Sequence, residues 1–289
     1  MSLTRRNLFK TLPLVAGAFA LDHARTFAHT TPTFPKGTHV AKDFNPNYVN
    51  MLGCDYVAGD DDIIRDIWAG NFTALRQLTC EYIHRFPAAW NGTSEITSVR
   101  ANLSLFRNRW IVLNEPSLWN VPATTSAANA SQIIEGVVAT NPGIQNTFIL
   151  SVFSAISQSN PAPCLEYVSA VWANMTPAAK AKVNAFAAHM YPATQDPNEV
   201  RSWLRDCQTW KNHNGVGALP LYLTETGFQD TRMTQLEAKD YILALAAELG
   251  SITGTWFGGL TWLGANIEGY CNLNKWNGLT RAGAAFAGL

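Results

Sequence analysis

Two glutamates stand out by the residues that precede them. Glu115 follows the apolar run Trp110–Leu113 through Asn114, and Glu225 follows the run Leu219–Thr224. An acid at the carboxyl end of a parallel strand projects over the rim of the sheet, where α/β folds place their reactive groups. Two such acids on different strands can divide one reaction between them. One protonates a departing oxygen while the other attacks or activates a water, the division of labour that cleavage of a glycosidic bond requires. A lone Glu after a strand is commonly a helix cap or a surface ion-pair partner. Two in matching positions, separated by three strand–helix units, favour the chemical reading. The acid must keep its proton near neutral pH, which calls for apolar surroundings or a nearby negative charge. Either of the two carboxylates can supply that charge to the other.

The elements that must position this pair alternate between short apolar runs and helical stretches, the rhythm of a parallel sheet built from βαβ units. Strands are expected at Trp110–Leu113, Thr147–Val152, Val183–His189, Leu219–Thr224 and Gly258–Leu263. Helices are expected at Ser126–Thr140, Cys164–Ala173, Asn198–Asn212 and Thr234–Leu249, the last opened by a Thr234/Glu237 capping box. Earlier in the chain, Tyr48–Leu52 reads as a strand, Asp60–Ala69 as a helix, and Phe72–Phe86 as holding the next strand or two or as partly helical, which leaves the third strand unplaced. Such a chain is expected to be a single-domain (β/α)8 TIM barrel, a fold of about 250 residues. The expected division is residues 1–28 as an export signal, 29–47 as an extended lead-in, and 48–289 as the barrel.

Four motifs in chain order carry a resemblance. The strand ending in Asn114-Glu115-Pro116 resembles the fourth-strand motif of clan A glycoside hydrolases, and Leu223-Thr-Glu-Thr-Gly-Phe228 is similar to the clan's seventh-strand motif. His189-Met-Tyr191 resembles a sixth-strand His-x-Tyr, and Thr261-Trp262 the eighth-strand Trp. The resemblance implies a retaining enzyme with Glu115 as acid/base and Glu225 as nucleophile. It further implies that Asn114 contacts the 2-hydroxyl of the cleaved sugar, that His189 and Tyr191 orient Glu225, and that Trp262 forms a floor under the ring. The compact amino-terminal half is similar to family 128 β-1,3-glucanases; families 5 and 39 share the His-x-Tyr and Thr-Glu-Thr-Gly flavour. The clan's early-strand Arg has two candidates, Arg76 and Arg85, neither in a clear match. Endo action on a β-linked glucan, mannan or xylan is the implied activity. An exo-glycosidase, a transglycosylase and a barrel that only binds glycans are the rivals.

Composition bounds the rest. The 289 residues are 47% hydrophobic and carry 21 basic and 21 acidic side chains, so the chain can bury a large core and shows no basic stripe for nucleic acid. Ten tryptophans supply faces for sugars as well as core packing; Trp90 and Trp119 fall in loops after strands, and Trp119 is a candidate substrate contact. Arg5-Arg6 precedes an apolar stretch, Leu12–Leu21, that is too short to span a bilayer. The segment resembles a twin-arginine export signal, which implies a periplasmic or secreted protein with no stable membrane insertion. Five cysteines without a Cys-x-x-Cys give no zinc knuckle or redox motif. The histidines lack ligand spacing, and Asp60-Asp61-Asp62 is explained by a helix start. No metal and no cofactor are expected.

Overall fold

The apolar runs pair side by side into a parallel sheet. The protein is described here by a computed structural model covering residues 34–39, 51–59, 79–83, 109–118, 120–140, 142–143, 145–155, 162–192, 196–227, 234–252, 256–263, 273–275 and 278–289. All of them belong to the unit Pro32–Leu289. The strands are β1 (Lys36–His39), β2 (Tyr56–Gly59), β3 (Thr79–Ile83), β4 (Arg109–Val112), β5 (Thr147–Ala155), β6 (Val183–Met190), β7 (Leu221–Thr226) and β8 (Phe257–Leu263). Each pairs in parallel with the next, and β1 also pairs with β8, Thr38 opposite Trp262, so the sheet curls until its first strand meets its last. Helix α1 (Ala123–Thr140) follows β4. Helices α2 (Ala162–Asn174) and α3 (Pro177–Lys180) follow β5, α4 (Pro197–His213) follows β6, and α5 (Gln235–Gly250) follows β7. A two-stranded ribbon, β9 (Asn274–Lys275) and β10 (Gly278–Leu279), leads to a terminal helix, α6 (Arg281–Ala287).

The α/β parallel architecture agrees with the sequence expectation, and the five later strands fall on the runs assigned to them. The amino-terminal part differs. Tyr48–Leu52 does not supply a strand over its described residues: Met51 is helical and Leu52 lies in a turn, while the strand begins at Tyr56. The segment read as an extended lead-in, residues 29–47, contains β1, hydrogen-bonded on both sides. Four residues without a single aliphatic or aromatic hydrophobic side chain give no run to recognise; β1 is Lys-Gly-Thr-His, a strand by its pairing alone. The helix expected at Asp60–Ala69 lies outside the described residues.

Helix starts follow from local chemistry. Thr234 and Glu237 form the reciprocal capping box, the Thr234 amide donating to Glu237 Oε2 at 2.7 Å and the Glu237 amide to Thr234 Oγ1 at 3.3 Å. Asp196 accepts from the Asn198 amide and Pro197 takes the first position of α4, where no amide is needed. Thr280 does the same for α6, accepting from the Gly283 amide at 3.0 Å.

Two apolar layers result. Between sheet and helices lies the large core, in which Phe186 of β6 packs against Trp172 of α2 and Trp210 of α4. Inside the curl a smaller cluster joins Ile111, Ile149, Ala185 and Ala187, with Tyr222 packed against it. Strand alternation therefore sets an inner phase: 111 on β4, 149 on β5, 185 and 187 on β6, and 222 on β7. Among the described residues no helix is long and apolar enough to cross a membrane.

Candidate active site

The inner phase leads straight to one end of the sheet. On β6 it runs Ala185, Ala187, His189, so the histidine lies inside the curl above the small apolar cluster, and it is 1% exposed. On β7 plain alternation from Tyr222 would turn Glu225 outward, toward the helices. The register prevents this: Ala187 pairs with Tyr222, Ala188 with Leu223, and His189 with Glu225, so Thr224 is passed over. An irregularity of this kind re-aims a side chain, and it puts Glu225 on the same inner face as His189. Glu115 arrives differently. The chain leaves β4 with Leu113 at φ 71° and Glu115 at φ 53°, a left-handed turn that non-glycine residues adopt only at a cost of about 1 kcal/mol or more each. Hydrogen bonds hold this turn, the Leu118 amide donating to Glu115 O at 2.9 Å and the Val121 amide to Pro116 O at 3.0 Å.

The side chains converge. His189 Nδ1 and Glu115 Oε1 share a hydrogen bond of 2.9 Å, and Glu225 Oε2 lies 3.6 Å from the same nitrogen. The Tyr191 hydroxyl donates to Glu225 Oε2 at 2.6 Å. Ser151 Oγ lies 3.3 Å from His189 Nε2. One oxygen of each carboxylate and one ring nitrogen of His189 lie within 4.8 Å of one another. Such a set could ligate a divalent ion as well as share protons. Glu225 is 4% exposed, whereas the Glu115 side chain is 16% exposed and so the more open of the two. Asn114 is 3% exposed, and its Oδ1 accepts no hydrogen bond among the described residues.

Set against the sequence, Glu115, Glu225, Asn114, His189 and Tyr191 fall in one place. His189 was expected beside Glu225; its shorter contact is with Glu115, and it stands between the two. Trp262 is a correction. It is fully buried and packs against Tyr241 of α5 and Phe286 of α6, ring centroids 6.5 Å apart in both cases. On β8 the inner phase passes through Gly259, opposite Tyr222, and then Thr261; Trp262 therefore points to the helix layer and offers no face to a sugar. Trp119, Trp90, Arg76 and Arg85 lie outside the described residues. Ser151 was missed, although one signal was available: a hydroxyl inside the otherwise apolar run Thr147–Val152.

The three cysteines whose side chains are described take no part in this site. Cys54, Cys164 and Cys207 are free thiols. Burial pushes the Cys54 thiol up to about 12 and the Cys164 thiol up to about 11, which leaves both as protonated, unreactive groups near neutral pH.

By architecture, then, this is a curled parallel α/β sheet with two carboxylates and a histidine gathered at the ends of strands β4, β6 and β7. The comparisons with known proteins agree on the fold. A curdlan-specific exo-β-1,3-glucanase of glycoside hydrolase family 128 from Blastomyces gilchristii, solved with glucose, superposes with a TM-score of 0.65 at 15% identity, covering 88% of this chain and 98% of that one. A family 128 endo-β-1,3-glucanase from Amycolatopsis mediterranei, solved with laminaripentaose, gives 0.61 at 14% identity over 88% and 98%. The cellulose synthase subunit Z of Clostridioides difficile gives 0.61 at 13% identity over 89% and 99%. No family model matches the chain, and no curated protein sequence matches it. The chain has the fold of the family 128 glucanases, and the likeness to clan A read from its motifs extends to that level.

Proposed function

We propose that this protein is a retaining glycoside hydrolase acting on a β-linked polysaccharide, with Glu115 as acid/base and Glu225 as nucleophile. The observation that carries the reading is the meeting of the two carboxylates. One oxygen of each lies within 4.8 Å of the other and of a nitrogen of His189. Double displacement uses a separation of about 5–5.5 Å, and inversion needs about 6.5–9.5 Å to admit a water. In the first step Glu225, held by Tyr191, attacks the anomeric carbon while Glu115 protonates the leaving oxygen. In the second, Glu115 takes a proton from water as that water displaces Glu225. Asn114 Oδ1 is an acceptor waiting for a hydroxyl, which suits the 2-hydroxyl of the cleaved sugar. The exposure of the two acids fits their roles: the nucleophile is buried, and the acid/base is open to leaving group and water.

A β-1,3-glucan is the first substrate to try, since the family 128 proteins of this fold are named for it. The full (β/α)8 barrel and export through the Arg5-Arg6 leader to the periplasm or outside belong to the same proposal. Incubation with β-1,3- and β-1,4-glucans, mannan and xylan, with products followed by NMR, tests it. Retained anomeric configuration and loss of turnover in Glu225→Ala are expected; inverted product, or turnover surviving that substitution, rules it out. Product sizes in the same reactions separate endo from exo action. Sugar binding without turnover of any of the four polymers would instead support a glycan-binding barrel.

A further inference from the structure

We infer that Ser151 and His189 together decide which oxygen of Glu115 carries the acid proton. The inference rests on the hydrolase reading for its consequence, but not for its geometry. Among the described residues, Glu115 from the end of β4, Ser151 on β5 and Glu225 on β7 reach the His189 ring, and Tyr191 just after β6 reaches Glu225. Nδ1 has a carboxylate oxygen at 2.9 Å and another at 3.6 Å. If Glu115 donated its own acid proton from Oε1 to a bare Nδ1, the Glu225 oxygen would be left facing a lone pair; a proton on Nδ1 serves that oxygen and Glu115 Oε1 together, so the proton is assigned to Nδ1. Nε2 then needs a donor if the ring is neutral, and the Ser151 hydroxyl stands 3.3 Å away with a proton to give.

The consequence is positional. Nδ1–H donates to Glu115 Oε1, which makes Oε1 an acceptor and leaves Oε2 as the oxygen that bears the acid proton. That proton passes from Oε2 to the leaving oxygen as the glycosidic bond breaks, and the new carboxylate keeps the Nδ1–H bond it already had. Across the cycle one negative charge moves from Glu225 to Glu115 and back. The ring stays neutral and lies between the two positions. Ser151 is a positioning residue in this scheme: it touches neither substrate nor reacting atoms, and it acts by holding the ring tautomer.

Two measurements test the inference. The nitrogen-15 shifts of the His189 side chain, assigned with His189→Asn, report its tautomer in the resting protein whether or not any substrate is turned over. The expected result is a neutral ring protonated on Nδ1 between pH 6 and 8, as a working range of about two units, with Ser151→Ala mixing the two tautomers. A ring protonated on Nε2 alone, or on both nitrogens, overturns it. The second measurement compares phenyl and 2,4-dinitrophenyl β-laminaribiosides, because only the poor phenolate leaving group depends on the acid proton. Ser151→Ala should lower kcat/KM about tenfold for the phenyl substrate and much less for the dinitrophenyl one, with Ser151→Thr restoring most of it. Equal losses on both substrates would show a merely structural role and sink the inference. If the unsubstituted protein cleaves neither, the hydrolase reading fails while the shifts still decide the tautomer.

Discussion

Under the proposed reading Glu225 attacks carbon, and a carboxylate with that task has to be held still, which one short contact does here. The Tyr191 hydroxyl donates to Glu225 Oε2 at 2.6 Å. A hydrogen bond to a charged group contributes about 1.5–3 kcal/mol. Tyr191→Phe should therefore lower kcat by roughly ten- to hundredfold, with KM nearly unchanged, in steady-state assays on whichever of the four polymers is turned over. A large rise in KM alone would place Tyr191 in sugar binding instead. Asn114 carries a second prediction at this scale. If its Oδ1 meets the 2-hydroxyl, Asn114→Ala and a 2-deoxy aryl glycoside remove the same contact. Each alone should cost on the order of 2 kcal/mol of transition-state stabilisation, and the pair together little more than either. Additive losses would separate Asn114 from that hydroxyl. The carboxylates were legible because each follows an apolar run within a distinctive local sequence. Ser151 and Trp262 were not, and for one reason. Both depend on which way a strand residue faces: alternation from Ile149 turns Ser151 inward and alternation from Gly259 turns Trp262 outward, but which phase is the inner one is fixed by pairing with the neighbouring strands and not by the run itself.

At the scale of elements, helix starts were legible because a cap is a local event. Thr234→Ala removes the side chain that accepts from Glu237 and breaks the capping box. A loss of about 1 kcal/mol in urea unfolding is expected. No change would mean that tertiary packing alone defines the start of α5. The far end of α4 shows what the residues could not announce. Lys211 is fully buried, its ammonium donating to Gln208 Oε1 at 2.7 Å and to the Leu219 carbonyl. Burial pushes its pKa down to about 8 from 10.5. Below pH 8 the lysine is charged in both states and the folded protein bears the whole desolvation penalty. Between pH 8 and 10.5 the unfolded chain holds more protons, so this contribution to stability rises with pH, by on the order of 3 kcal/mol across the window. The buried thiols act in the opposite sense at alkaline pH, since Cys54 holds its proton up to about 12 only when folded. The measurement is therefore the difference between the protein and Lys211→Met. That difference should change across the window in the direction that favours the lysine; a constant difference contradicts the assignment.

The whole molecule depends on joining its two ends, and here the sequence was least informative. The strand β1 is four residues long, and three of them are not apolar, so nothing in its composition marks it as the strand that pairs with β8. What holds it there is reached only in three dimensions. The buried Lys36 ammonium donates to the carbonyls of Phe286 and Ala287, at 2.8 and 2.9 Å, in the last turn of α6, and stands 5.4 Å from the centre of the Phe286 ring. Cations at a helix carboxyl end offset the carbonyls left without amides. The same helix presses on the chain just before it so closely that a Cβ on Gly283 would fall 1.9 Å from Leu273 O. A helix packed closely on the chain before it and tied to the first strand through Lys36 fastens the seam between β1 and β8 from outside the sheet. Lys36→Met keeps the apolar stem but leaves two buried carbonyls without their donor. The expected cost is about 2 kcal/mol, because part of the loss is offset by no longer burying a charge. Hydrogen exchange tells this apart from a local effect. If α6 clasps the seam, amides of both α6 and β8 lose protection in Lys36→Met. If only α6 exchanges faster while β8 keeps its protection, the terminal helix is an appendage and the sheet holds its own seam closed.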